Sequence, residues 1–166
     1  MRKIPAAAVL LLVVSAPALA ADSVSAELGI GSHKVTLWRV GAQWDQHPSW
    51  LEGTRWRTYW DLSAGSWHGD LGTVHDVGLT PVFRYARAER GLFYEGAIGF
   101  HVLSDSHIST DLGLSTRFQF GDHLGAGYRN GHYDWSVRLQ HLSNGGMRNP
   151  NPGINFLELR IQYLLR

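Results

Sequence analysis

The sequence predicts an all-β fold, an eight-stranded antiparallel up-and-down transmembrane β-barrel, and two observations support that prediction. The first is an alternation of apolar and polar residues with a period of two, as expected for strands with two different faces. The second is that eight such segments follow one another, each near the ~10 residues that a tilted membrane strand requires. The segments span residues 24–30, 37–44, 56–63, 77–85, 92–100, 117–128, 133–140 and 157–165.

In chain order, the apolar sides of these segments begin with Val24, Trp38, Trp56, Val77, Leu92, Phe118, Tyr133 and Leu157. Aromatic residues lie near the strand ends, as in the aromatic girdles of membrane barrels, so this side is predicted to face lipid. The other side carries charged residues of balanced sign that can pair inside a small filled barrel. They are Glu27, Arg39, Arg57, Asp61, Arg84, Glu95, Arg117, Asp134, Arg138, Glu158 and Arg160. A soluble lipocalin-like barrel, apolar inside and polar outside, is the alternative fold.

The connections alternate between short and long, as in outer-membrane barrels. Arg129-Asn130-Gly131 and the segment 88–91 are predicted to be tight periplasmic turns. The longer connections at 67–74, 103–115 and 144–153 are predicted to be extracellular. The connection 45–55 is long for the periplasmic side and is expected to contain a short helical excursion.

The N-terminus has the pattern of a secretory signal peptide. Met1-Arg2-Lys3 is positively charged, the segment 6–14 is apolar, and Ala18-Leu19-Ala20 forms a small-residue cleavage site. Residues 1–20 are therefore predicted to be the signal peptide and 21–166 the barrel. The alternative is a short transmembrane anchor, against which stands the length of the apolar run, which is too short to span a bilayer.

The composition of the 166-residue chain excludes several classes of function. With no cysteine, the chain has no thiol nucleophile, disulfide or thiolate metal site. A net charge of +1 without a basic stripe argues against nucleic-acid binding. No metal site is predicted either, because His68, Asp70, His75 and Asp76 span a loop and match no ligand motif.

The apolar side of the seventh segment ends in two polar residues, His141 and Ser143. Residues two apart on a strand share a face and lie roughly 6–7 Å apart, so these can form a base and an activated hydroxyl nucleophile. The same parity test puts Asn155 outward at the start of the eighth strand, opposite the end of the seventh. Asn155 is thus predicted to orient the imidazole, whereas Glu158 is predicted to point inward.

The run His141-Leu142-Ser143-Asn144-Gly145-Gly146, followed by Pro150-Asn151-Pro152-Gly153-Ile154, resembles the signature of PagL-type lipid A 3-O-deacylases. The resemblance implies an esterase of the bacterial outer membrane that removes the 3-linked 3-hydroxyacyl chain of lipid A without a cofactor. Its partner would be lipopolysaccharide in the outer leaflet, and a homodimer is an open alternative for its oligomeric state.

The family's histidine and serine correspond to His141 and Ser143, while its catalytic glutamate would fall on Asn155. An amide oxygen can accept the imidazole N–H, but it cannot offset the imidazolium with a full charge. Glu158 is the alternative acid, against the parity of its strand. The backbone N–H groups of Asn144, Gly145 and Gly146 are oxyanion-hole candidates, since glycines let a chain turn and expose its amides.

Arg148, beside the predicted site, is a candidate to bind a substrate phosphate, with an ordinary interfacial cation as the alternative. Two other functions compete with deacylation of lipid A. One is a different lipid esterase on the same site, a phospholipase A or an acyloxyacyl hydrolase. The other is a non-enzymatic structural barrel, which would leave His141, Ser143 and Asn155 on a lipid face without a reason.

Overall fold

A computed structural model of the chain describes residues 20–165, which form a closed antiparallel β-barrel. The predicted signal peptide, apart from Ala20, lies outside the described residues. The barrel strands are β1 (Ser23–Gly31), β2 (Thr36–Gln46), β3 (Trp56–Gly69), β4 (Gly72–Ala86), β5 (Gly91–Leu103), β8 (Phe118–Asn130), β9 (Tyr133–Ser143) and β10 (Ile154–Leu164). A small hairpin, β6 (His107–Ser109) and β7 (Leu112–Gly113), and two 3-10 turns, Ser32–Lys34 and Ser49–Leu51, lie between them.

Eight strands of the described chain close the barrel in the order β1-β10-β9-β8-β5-β4-β3-β2, so the predicted fold is confirmed. Closure comes from the pairing of β1 with β10, whose register runs from Ser23↔Leu164 to Gly31↔Phe156. A closed barrel leaves no unpaired strand edge, which is the condition for a sheet to lie in hydrocarbon. Within residues 20–165, no helix is long and apolar enough to cross a membrane.

The predicted interior polar side is confirmed in the middle of the barrel, where buried arginines and carboxylates interlock. Glu95 accepts hydrogen bonds from Arg84 Nη2 (2.9 Å), Arg138 Nε (2.7 Å) and the Tyr59 hydroxyl (3.0 Å). Arg138 Nη1 also donates to Glu27 Oε1 at 2.9 Å. Through Arg138, Glu95 on β5 is therefore linked to Glu27 on β1, on the opposite side of the barrel. Such pairs tolerate burial only because each charge meets opposite charges and hydrogen bonds.

Two of the arginines predicted to point inward are not part of this network. Arg57 and Arg117 are exposed, Arg57 at the second position of β3 and Arg117 just before β8. The alternation gives the face of a strand residue, but a residue at the end of a strand lies beyond the closed wall and meets water instead.

One end of the interior is apolar, which the alternation did not predict. We call this end, where β9 ends and β10 begins, the site end. Its buried side chains form an apolar cap of Val35, Leu37, Trp67, Val74, Leu103, Ile108, Leu112, Leu114, Leu142, Ile154 and Phe156. The connection that holds β6 and β7 folds inward and supplies Ile108, Leu112 and Leu114. Inward-facing apolar strand residues pack against these three, so burial of apolar surface closes the barrel mouth.

The connections agree only in part with the predictions. The segment 144–153 is a loop, as predicted, and the connection 45–55 contains the expected short helical turn. The prediction of a long loop at 67–74 is wrong, because β3 and β4 stay paired up to Gly69↔Gly72. Gly72 has a φ of 128°, a conformation that glycine adopts without a steric penalty, so a tight turn is sufficient there.

Candidate active site

His141 and Ser143 lie on the outer surface of β9 near its end, as the parity of the strand predicts. Both are half-buried, while Leu142 between them is fully buried and points inward. Two polar side chains on a face otherwise made of Trp135, Val137 and Leu139 are costly in lipid unless they have a function.

Asn155 is directly opposite His141 in the β9–β10 register, as predicted. His141 Nδ1 lies 2.8 Å from Asn155 Oδ1. A carbonyl oxygen only accepts, so Nδ1 carries the proton and Nε2 is left as an acceptor, the form needed to take a proton from a serine. The backbone N–H of Asn155 donates to Ser32 Oγ at 3.3 Å, which ties the start of β10 to the turn after β1.

Gly153 supports the imidazole from the other side of the loop. Its φ is 65°, and a Cβ there would lie 2.5 Å from His141 Cε1 and 3.0 Å from the Leu142 carbonyl oxygen. A Cβ atom essentially never lies within 3.0 Å of another atom, and a positive φ strains any other residue, so glycine suits the place where the chain passes behind the ring. The backbone at Gly153 is thereby part of the packing that holds His141.

The loop from 144 to 153 is organised around the buried side chain of Asn144. Its Nδ2 donates to the carbonyl oxygens of Arg148 (2.8 Å) and Leu114 (3.2 Å), and its Oδ1 accepts the Gly146 N–H at 2.9 Å. The Asn144 N–H itself donates to Asn151 Oδ1 at 3.0 Å. Two of the three oxyanion-hole candidates, Asn144 and Gly146, thus donate to side chains of the loop itself.

The third candidate, the Gly145 N–H, donates to Ser143 Oγ in a long hydrogen bond of 3.5 Å. Gly145 has a φ of 63°, so its backbone turns back toward the end of β9. This N–H is therefore next to the hydroxyl where an attacked carbonyl group would develop negative charge.

The wall behind these groups is rigid because it is packed against the apolar cap. Leu142 and Ile154 are cross-strand partners, and both are fully buried in the cap. Their neighbours in sequence, His141, Ser143 and Asn155, are consequently held on the opposite face of the sheet. The site has a packed wall on one side and the membrane surface on the other.

The other predicted residues lie apart from this cluster. Glu158 points inward, is 1% exposed, and has Oε1 3.6 Å from Arg39 Nη1, so the barrel wall separates it from His141. Arg148 is exposed in the loop after β9. The residues considered as metal ligands have separate partners: His75 with Ser66, Asp76 with Arg39 and His101, and Asp70 with Thr110.

The sequence reasoning missed Asp122. It lies on the exposed side of β8 between the outward residues Phe120 and Leu124, and it is the register partner of His141. The same parity break that singles out His141 and Ser143 would have found it. Ser32 was also missed, and no local pattern distinguishes it, because its role depends on the closure between β1 and β10.

Comparisons with known proteins bear on the family of the chain. The sequence model of the family described as lipid A 3-O-deacylase (PagL) matches residues 36–164. The lipid A deacylase PagL of Pseudomonas aeruginosa is 36% identical over 152 residues, covering 87% of this chain and 86% of the relative. The lipid A deacylase PagL of Bordetella bronchiseptica is 32% identical over 161 residues, covering 84% and 82% respectively.

Two solved structures are similar to the barrel. A crystal structure of the outer membrane enzyme PagL matches with a TM-score of 0.75 and 31% identity, over 85% of this chain and 98% of that one. A structure from the de novo design of transmembrane β-barrels matches with a TM-score of 0.59 and 14% identity, over 85% and 92% of the two chains. The second likeness concerns the fold alone.

Proposed function

The chain belongs to the lipid A 3-O-deacylase (PagL) family, and from that premise we propose that it hydrolyses the 3-O-linked 3-hydroxyacyl ester of lipid A with Ser143 as nucleophile and His141 as base. The observation that carries this proposal is the His141–Asn155 hydrogen bond of 2.8 Å on the outer surface, two residues from Ser143. This hydrogen bond orients the imidazole and favours the tautomer with the proton on Nδ1, on a face of the barrel that otherwise contacts lipid.

The chemistry follows from the protonation of His141. Its Nε2 takes the proton from Ser143 Oγ as this oxygen attacks the ester carbonyl, and the imidazolium then gives that proton to the oxygen of the leaving sugar alcohol. Water, activated by the same nitrogen, attacks the acyl-serine and releases the hydroxy fatty acid. Asn155 keeps the ring oriented through both steps.

The Gly145 N–H donates to the carbonyl oxygen as it becomes an oxyanion. Its acceptor is the nucleophile itself, Ser143 Oγ, at a long 3.5 Å, which supports this assignment over Asn144 and Gly146, whose N–H groups are held at 3.0 and 2.9 Å by side chains of the loop. Removing one such donor from an esterase typically costs 10²–10³ in rate, so this hydrogen bond contributes a large share of the catalysis.

A lipid substrate fits the surroundings of the nucleophile. Ser143 is the register partner of Phe120, whose ring packs against Phe100 and Phe118 on the outer face. A groove of about 530 Å³ on the outer surface is lined mainly by apolar residues, among them Pro81, Phe83, Ile98 and Leu124, together with Asp122. Acyl chains can pack against its apolar part while the ester group stays at the level of Ser143.

The protein is an outer-membrane barrel whose site end faces outward, toward the leaflet that holds lipopolysaccharide. This orientation is supported by the longer connections, 104–117 and 144–153, which both lie at the site end. Arg148 in the second of them is placed to bind a lipid A phosphate, since a guanidinium pairs well with phosphate oxygens.

The experiment that tests the proposal is mass spectrometry of lipid A from cells that express the wild-type chain or Ser143→Ala. Wild-type cells are expected to lose the mass of one 3-hydroxyacyl chain, and Ser143→Ala should reduce the turnover by at least about 10³-fold. The variant should still fold, which its heat-dependent mobility in gel electrophoresis would report. Unchanged lipid A from wild-type cells, or full activity in Ser143→Ala, would refute the proposal.

A second readout separates this activity from its rivals. A serine-directed fluorophosphonate should label the wild-type protein in detergent and leave Ser143→Ala unlabelled. Labelling together with release of fatty acid from phospholipids, but not from lipid A, would indicate a phospholipase. Absence of labelling and of any ester hydrolysis would indicate a structural barrel.

A further inference from the structure

Asp122 is a carboxylate on the outer face of the barrel. Among residues 20–165, it is the only Asp or Glu at an outward strand position; the other strand carboxylates follow the inward alternation. Its neighbours on the same face of β8 are Phe120 and Leu124. A charge at an apolar, lipid-facing position is unfavourable, so its presence there points to a function.

The strand register places this carboxylate beside the catalytic histidine. Asp122 is the partner of His141 across β8 and β9, and His141 is the partner of Asn155 across β9 and β10. Side chains that lie directly opposite each other have Cβ atoms roughly 4.5–5.5 Å apart. His141 therefore has an amide on one side and a carboxylate on the other.

These two neighbours can do different things for the imidazole. The Asn155 amide accepts from Nδ1 at 2.8 Å and holds the ring, but it carries no net charge. When His141 takes the proton of Ser143, the imidazolium needs a negative charge nearby. The interaction of two charges becomes stronger where apolar groups exclude water, and Phe120, Leu124 and Leu139 surround this row.

Resting on the function proposed above, we propose that Asp122 is a positioning residue that acts through His141: it supplies the negative charge that stabilises the imidazolium, while Asn155 supplies only the orientation. The proton moves from Ser143 Oγ to His141 Nε2 and then to the leaving alcohol, and no proton passes to the carboxylate.

The groups around His141 make the charge effect testable. From β8, the facing residue is Asp122; from β10, it is the uncharged Asn155; and Glu158 lies on the inner side of the wall. On the loop after β9, Arg148 is the charged residue. Asp122→Asn thus removes the carboxylate that lies in register with His141 on the outer face and leaves the other groups around His141 unchanged.

The test is the pH dependence of lipid A hydrolysis by purified Asp122→Asn in detergent. We expect kcat to fall about 10- to 100-fold with little change in KM. The acidic limb of the kcat/KM profile should move to lower pH, because the imidazolium of the free enzyme loses a stabilising charge. Asp122→Glu should keep most of the activity. Asp105→Asn, which removes a charge from an exposed loop at the same end, is the matched control and should behave as wild type.

A double variant distinguishes a charge effect from a structural one. In Asp122→Asn/Asn155→Glu, the carboxylate is moved to the other side of the ring, and most of the lost activity should return. An unchanged rate and pH profile in Asp122→Asn would overturn the proposal, as would a loss that Asn155→Glu does not restore in a folded barrel. If Ser143→Ala retained activity instead, the proposed function itself would fail, so the two failures are distinct.

Discussion

The interior of the barrel and the site on its outer wall are both polar, but they are built in opposite ways. Inside, most charged groups contact several others; Glu95 alone receives hydrogen bonds from Arg84, Arg138 and Tyr59. Outside, His141 has one hydrogen-bonded side-chain partner, Asn155. The inner network is buried and densely hydrogen-bonded, although both Glu158 carboxylate oxygens have no hydrogen bond, whereas the outer groups are half-exposed and keep unused hydrogen-bonding capacity.

The difference shows what polarity contributes in each region. A buried network of this kind holds the strands together, and its groups face one another inside the barrel rather than a substrate. A sparsely bonded group on an apolar surface adds little to stability, but it can accept a proton or a ligand. Substitutions inside should therefore change the stability of the fold, and substitutions outside should change the chemistry.

The largest effect on stability is expected for Glu95→Ala. It leaves Arg84 and Arg138 without a central acceptor, and breaking a buried ion pair from one side typically costs about 3–5 kcal/mol. Urea unfolding of the refolded barrel in lipid vesicles would measure the change. Glu89→Ala, in an exposed turn, is the matched control and should stay within about 0.5 kcal/mol of wild type. A Glu95→Ala barrel as stable as wild type would contradict this view of the interior.

A smaller effect, on activity, is expected for Gly153→Ala. The added Cβ would lie 2.5 Å from His141 Cε1, so the imidazole must move. Displacing a catalytic group by about 1 Å costs on the order of 10² in rate, which should appear in kcat for lipid A hydrolysis. Gly131→Ala is the matched control: its φ of 62° gives a similar backbone strain, but no atom lies within 4 Å of the new Cβ. Equal activities of the two variants would show that Gly153 does not position His141.

The smallest effect is expected at the turn between β3 and β4. The Thr110 side chain and backbone N–H donate to Asp70 at 2.6 and 2.9 Å, and these hydrogen bonds lower the pKa of that carboxyl. A lowered pKa stabilises the fold above the unfolded value of about 3.9, and this stabilisation is lost as the pH falls through the folded pKa. In Thr110→Val, the Asp70 pKa should rise toward its ordinary value in an NMR titration of the carboxyl carbon. An unchanged titration would rule out the hydroxyl as the cause.

Much of the barrel could be predicted because alternation is a local property. The eight strands, the inward charges and the outward His141, Ser143 and Asn155 all follow from counting residues in steps of two. Closure and register are less local, yet β9 and β10 follow one another in the chain as an antiparallel pair, so counting from their joining loop predicted that Asn155 faces His141. Asp122 could have been found by the same count.

The remaining features depend on long-range packing. The apolar cap joins Val35, Trp67, Ile108, Leu142 and Phe156 from distant parts of the chain. The two-residue alternation of the strands carries no information on the connection after β5, which folds into the barrel mouth. The exposure of Arg57 and Arg117 also depends on where the wall ends, which the tilt and pairing of the whole barrel determine.

Because His141 and Ser143 face outward, the substrate concentration that determines the rate is the concentration within the membrane. A molecule that reaches the site travels within the plane of the membrane and does not arrive from bulk water. Its availability is therefore set by its mole fraction among the surrounding lipids. Adding inert detergent to a fixed amount of substrate should slow the reaction by surface dilution, even though the molar concentration of substrate is constant.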